Sequence, residues 1–239
     1  MKSCKTLLLC VALSLLASPV AAAVNETDIS NAYYAGDLDA LEAMRAELNQ
    51  SVNSETLLAA YLDWRLASVH YGMGREDIAD QTLERAQTTL EGLVETSPDS
   101  AEAWALLSST LGMRIGIRPM TRGFTYGMRS DAAMDKAREL EPQNPRILLI
   151  DAIALLNKPS LFGGDRDEAI AKLDRALAEI AANGTGRFSW GKADIYTWRG
   201  IALQRQGNDA EAAQSYDEAL VVVPSYRWVQ QLRANVDID

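Results

Sequence analysis

The sequence predicts an all-α chain: an α-solenoid of stacked antiparallel helix pairs with inserted loops and a C-terminal capping helix. Three observations predict it. From Asn25 onward the apolar residues recur at helical spacing, and no stretch keeps the period-two alternation of a strand. Four segments repeat one pattern, two small residues seven apart with a large apolar one four after the first: Ala79, Leu83, Ala86; Ser130, Met134, Ala137; Ala169, Leu173, Ala176; and Ala212, Tyr216, Ala219. A seven-residue step returns to nearly the same helix face, so the small side chains admit a neighbouring helix while the large one fills the space between. The third observation is size, since 239 residues with 48% apolar content are ample for a buried core.

The first 23 residues read as an export signal. Lys2 and Lys5 precede an apolar run from Leu7 to Ala17, and Ala21-Ala22-Ala23 supplies the small residues a signal peptidase accepts. Eleven apolar residues are far short of the roughly 20 that span a bilayer, so no stable membrane insertion is expected after cleavage. Cys10 follows Leu9, where a lipid-modified cysteine wants a small residue, and a periplasmic chain starting at about Val24 is expected. Both cysteines, Cys4 and Cys10, leave with the signal, which removes disulfides, thiol nucleophiles and thiolate metal sites from the mature chain. Losing two lysines leaves 21 basic against 33 acidic residues, a net charge of −12. So acidic a chain is a poor partner for nucleic acid, which is bound through a surplus of Lys and Arg.

The periodicity places helices at about 26–35, 37–49, 54–72, 75–96, 100–113, 130–141, 145–157, 165–182, 190–206, 209–222 and 225–236. They form a single domain over 24–239: a degenerate first unit (26–50), four clearer units (54–98, 100–142, 145–182 and 190–226), and a polar-faced capping helix (225–236) that covers the last repeat. Tyr33-Tyr34-Ala35-Gly36-Asp37 turns the first pair, Pro98 closes the long fourth helix, and Glu141-Pro-Gln-Asn-Pro-Arg146 divides the sixth from the seventh.

The unit from Ala193 to Tyr226 resembles the tetratricopeptide repeat, a 34-residue antiparallel helix pair that stacks into a superhelix. Tyr196, Gly200, Leu203, Gly207, Ala212, Tyr216, Ala219, Leu220 and Pro224 stand where that repeat has an aromatic, a small residue or a terminating proline. Ala103-Trp104 with Leu107 and Leu111 opens another such unit, closed by Ala137 and Pro142. Successive second small residues lie 51, 39 and 43 apart (Ala86, Ala137, Ala176, Ala219), so each unit carries added residues. Insertions are expected at 113–129, at Pro159–Asp165 and at Ala182–Trp190, on what is often the binding face of such arrays. Glu141–Arg146 and Pro159–Asp165 also resemble the asparagine-proline-arginine and phenylalanine-glycine-glycine turns of a group of exported bacterial repeat proteins of unsettled function. A looser likeness is to the periplasmic helical-repeat component of tripartite substrate-binding transporters.

Catalytic apparatus is not visible. Phe162-Gly-Gly-Asp165 follows a helix, whereas a phosphate cradle follows a strand. Gly163 and Gly164 are therefore expected at positive φ, Phe162 as a packed staple, and Asp165 with Glu168 as a capping box. His70 is the only histidine and has no cysteine or carboxylate cluster at ligand spacing, and no Ser/His/Asp set can be assembled, so no cofactor or metal is expected. Glu76-Asp77 complements a helix dipole, and Trp64, Trp104, Trp198 and Trp228 fall at core or rim positions. Repeat modules that clamp a C-terminal carboxylate use lysine and asparagine on their inner helices; the inward positions here are Ala105, Ser109, Thr197 and Ile201.

One stretch departs from the acidic background. Residues 103–130 hold no acid, yet carry Arg114, Arg118, Arg122 and Arg129 together with Phe124 and Tyr126. Two readings follow: the arginines pair with acids of neighbouring helices and fasten the insertion down, or they form an anion-recognising lip with Phe124 and Tyr126 as its apolar wall. The sequence thus points to a non-catalytic periplasmic scaffold or adaptor that binds a protein or peptide. The alternative is an accessory transporter component binding a small anionic ligand, favoured by a tunnel where an open concave face favours the adaptor.

Overall fold

The computed structural model describes residues 23–50, 56–183 and 191–236. The export signal expected over 1–23 therefore lies, but for Ala23, outside the described residues, as do residues 184–190 of the third insertion. Every described element is helical: α1 (Glu26–Ala35), α2 (Leu38–Gln50), α3 (Leu57–Gly72), α4 (Glu76–Thr96), α5 (Ala101–Ile117), α6 (Pro119–Leu140), α7 (Pro145–Asn157), α8 (Arg166–Asn183), α9 (Lys192–Gln204), α10 (Asp209–Val222) and α11 (Arg227–Ala234), with a 3-10 turn at Ser160–Phe162.

The repeating small-large-small pattern is what seats the pairs. In α4, α8 and α10 all three members are fully buried, and in α6 Ser130, Met134 and Ala137 are buried against α5. Gly200 shows how close the approach is. A Cβ there would stand 2.4 Å from Cε1 of Tyr216, so α9 and α10 meet only because position 200 has no side chain. The paired helices are α3 with α4, α5 with α6, α7 with α8, and α9 with α10. The first helices of successive pairs also touch, α3 with α5, α5 with α7 and α7 with α9, so they line the inner side of the curve. α11 covers α10, burying Val229 and leaving a polar outer face.

Four local expectations need correction. The 113–129 insertion is not a loop: α5 runs on to Ile117, and Pro119 opens α6 in the first-turn position that its fixed φ suits. At the second insertion Gly163 is left-handed (φ 87°), whereas Gly164 is glycine for space, since a Cβ would lie 1.9 Å from the carbonyl oxygen of Lys158. Phe162 is 69% exposed and staples nothing, because the 3-10 turn carries it outward. The capping box there is half made: Asp165 accepts from the Glu168 amide at 2.9 Å, while the Glu168 carboxylate pairs with Lys172 one turn on.

Candidate functional site

The inner face of the solenoid is not bare, because α1 lies along it. Asn25 caps α1 by accepting from the Thr27 and Asp28 amides, and Gly36 ends it in the left-handed conformation. Positions 26, 30 and 34 fall four apart and so share one stripe of the helix, and each meets a different inner helix. Glu26 receives Nη2 of Arg146 (α7) at 2.7 Å. The Ser30 hydroxyl lies 3.0 Å from that of Tyr61 (α3). Tyr34 donates to Oδ2 of Asp194 (α9) at 2.7 Å.

Beneath this stripe is a polar layer built mainly from the inner helices. Arg65 and Asp194, each 2% exposed, form a bidentate pair at 2.8 and 3.2 Å, and Nε of Arg65 also donates to Tyr61. Tyr226, just before α11, donates to Oδ1 of Asp194 at 3.0 Å. The Arg65 guanidinium lies 4.1 Å from the centre of the Tyr33 ring and 4.8 Å from that of Trp64. Arg146 reaches Glu102 of α5 at 2.7 Å as well as Glu26. Buried charge is tolerable only when paired and hydrogen-bonded, and here every oxygen of Asp194 has two donors. Burial pushes the Tyr61 hydroxyl up to about 12 against the opposing pull of Arg65, and raises Tyr34 and Tyr226 well above the usual phenol range, with the Asp194 charge adding to it. At the Glu26 end a recess of about 20 Å³ remains among Tyr61, Glu102, Ala105 and Arg146, the space of one water.

The four candidate arginines lie elsewhere, on the extended α5–α6 hairpin, and face α4. Arg114 is buried and donates to Asp80 at 3.0 Å, to Gln87 at 2.7 Å and to Glu84 at 3.3 Å. Arg122 takes Asp80 bidentately at 2.5 and 2.8 Å, Arg118 reaches Asp77 at 2.5 Å, and Arg129 pairs with Glu91. The Arg122 hydrogen bond and Arg114 outweigh partial burial and hold the Asp80 carboxyl below its usual value. Tyr126 sits among three of the guanidiniums, each 5.6 Å from its ring centre. Phe124 is 81% exposed, so the two aromatics do not share one wall. The arrangement is an ion-pair ladder that fastens the hairpin to α4, and its charges are matched within the protein.

A scan against models of known protein families finds no match, and a search of curated proteins finds none. Solved structures do match. The HusA haemophore from Porphyromonas gingivalis superposes with a TM-score of 0.57 at 21% identity, over 76% of this chain and 94% of its own. TTC0263, a thermophilic TPR protein of Thermus thermophilus, superposes with a TM-score of 0.50 at 19% identity, over 85% of this chain and 90% of its own. The chain has the tetratricopeptide-repeat fold.

Of the inward positions expected for such a repeat, Ala105 does line the groove, in the recess beside Glu26. Ser109 accepts from the Trp64 indole at 3.1 Å, and Thr197 is buried within its own helix. Sequence reasoning missed the residues that matter most in the groove. Arg65 was visible, with Asp63, as one of two charges inside the otherwise apolar run Leu57–Gly72, and a guanidinium amid core residues signals a buried partner. Asp194 gave no such signal, because an acid in the first turn of a helix is expected there anyway. Among the described residues no His/Cys/Asp/Glu group could hold a metal ion, and no helix is long and apolar enough to cross a membrane.

Proposed function

We propose that this protein is a non-catalytic periplasmic scaffold whose tetratricopeptide-repeat groove binds a helical segment of a protein or peptide. The groove carries this reading: an inner face that presents oriented donors and acceptors to a helix, and that is seen holding one. A helix laid into a groove is read through anchors at three- and four-residue steps, which is how α1 is read here. The transporter alternative gains nothing from the site, since the recess at its end has room for one water and the 113–129 segment is helix rather than a tunnel wall. Export rests on the sequence of the first 23 residues.

Affinity capture from the native envelope fraction tests the scaffold reading. One defined protein should be retained in stoichiometric amount by the immobilised chain and not by an unrelated helical solenoid; retention of no protein would overturn it. N-terminal sequencing of the periplasmic protein should begin at about Val24, and a lipidated Cys10 or a retained Leu7–Leu16 segment would overturn the export assignment.

A further inference from the structure

α1 differs from the other helices in how it is held. A core helix is fixed by a long apolar face, but α1 has ten residues, buries Ile29, Ala32 and the Tyr34 ring, lays the Tyr33 ring against Arg65, and otherwise meets α3, α7 and α9 through one ion pair and two hydroxyl contacts. A helix this short is marginal on its own, so its order depends on the groove. A single turn at Gly36-Asp37 joins it to α2.

The groove keeps its own partners if α1 leaves. Arg146 retains Glu102, Arg65 retains Asp194 and Tyr61, and Asp194 retains Tyr226. Departure of α1 therefore strands no buried charge. Each groove group keeps capacity for one more bond from an incoming helix, and that bond is what α1 supplies. A surface prepared in this way before its occupant arrives is the arrangement that lowers the cost of binding.

We propose that α1 is a stand-in for the partner: the groove recognises an amphipathic helix bearing a carboxylate, a small hydroxyl residue and a tyrosine at successive four-residue steps, as Glu26, Ser30 and Tyr34 do, and such a helix binds by displacing α1. This rests on the scaffold reading above and names the chemistry of its partner. The carboxylate answers Arg146, the hydroxyl answers Tyr61 and the phenol answers Asp194. Because α1 is tethered, it competes at a high effective concentration, and the groove favours only ligands that beat it or conditions that loosen it.

The test uses the full chain and a fluorescein-labelled peptide of residues 24–36. Glu26→Gln with Tyr34→Phe weakens the hold of α1 and leaves every groove residue in place. The peptide should bind this variant at least tenfold more tightly than it binds the wild type, by fluorescence anisotropy. A peptide carrying the same two changes should bind neither. Hydrogen exchange should show α1 amides less protected in the variant and, in the wild type, after addition of excess peptide. Equal peptide affinity for variant and wild type overturns the proposal, as does unchanged α1 protection. A variant that dimerises by exchanging α1 between copies, seen by sedimentation, also overturns it, because the occupant is then a second copy. Should the double variant not fold, Glu26→Gln alone, at the rim of the groove, should still gain about threefold, and no gain is fatal. Envelope capture that the peptide fails to compete leaves the scaffold reading and removes this one; peptide binding without envelope capture does the reverse.

Discussion

Asp194→Asn changes one atom of one buried side chain and should be among the most damaging conservative substitutions in the protein. The carboxylate accepts four hydrogen bonds, two from Arg65 and one each from Tyr34 and Tyr226. An amide offers one oxygen to these donors, so two of the four bonds are lost whichever way it turns, and the Arg65 charge is left uncompensated at 2% exposure. Removing one partner of a buried pair costs about 3–5 kcal/mol, and for a domain of this size about 2–4 °C accompanies each kcal/mol. The expected fall in Tm is therefore about 6–20 °C, read by circular dichroism. Tyr34→Phe removes a single hydrogen bond and should cost about 1 kcal/mol. Arg65→Met with Asp194→Leu, which removes both charges but leaves the Tyr34 and Tyr226 hydroxyls without their acceptor, should recover part of the loss of Asp194→Asn. A Tm for Asp194→Asn within about 2 °C of the parent would refute the reasoning, and so would a double variant no better than the single one.

Three further outcomes are expected. Gly200→Ala should lower stability by about 1–3 kcal/mol in a thermal melt, because the new methyl collides with the Tyr216 ring between α9 and α10. Arg118→Glu with Arg122→Glu sets new acids against Asp77 and Asp80, so the melting temperature should fall while capture of a partner is spared; an intact melt with lost capture would restore the anion-recognising lip. In alkali, a tyrosine whose folded pKa is raised contributes stability that is fully present below its unfolded value near 10 and is lost as pH rises toward about 12, the value of Tyr61. Tyrosinate absorbance at 295 nm should thus show an early phase from exposed rings and a late one that coincides with unfolding; a single phase near pH 10 would count against the buried cluster.

The stacking was legible because it is local. Ala79, Leu83 and Ala86 lie within two turns of helix, and their pattern states both which face is buried and how near the neighbour comes. The hairpin at 113–129 was misread because Gly116, Gly123, Gly127 and Pro119 look like breakers. The glycines have nothing within 4 Å of a Cβ, and the proline opens a helix instead of interrupting one. The acids that receive the arginines were in view at 77, 80, 84 and 91, on one stripe of α4, but a stripe of acids reads equally as a solvated face. The pairings across the groove could not be read, although the buried charge at Arg65 was in view. Glu26 and Arg146 are 120 residues apart and Tyr34 and Asp194 are 160 apart, and no periodicity within either segment encodes the meeting.

Those separations also bear on the order in which the molecule is made. In an open array each repeat needs only its neighbour, so structure can grow from any point as chain becomes available. Here α1, which precedes the groove helices in the chain, must wait for them. α1 has no place to dock until α9 and Tyr226 exist, nearly two hundred residues later, and closing so long a loop precedes any reward from the contacts it makes. The repeats can pair with their neighbours as they arrive, whereas α1 completes its contacts only once α9 and Tyr226 are in place.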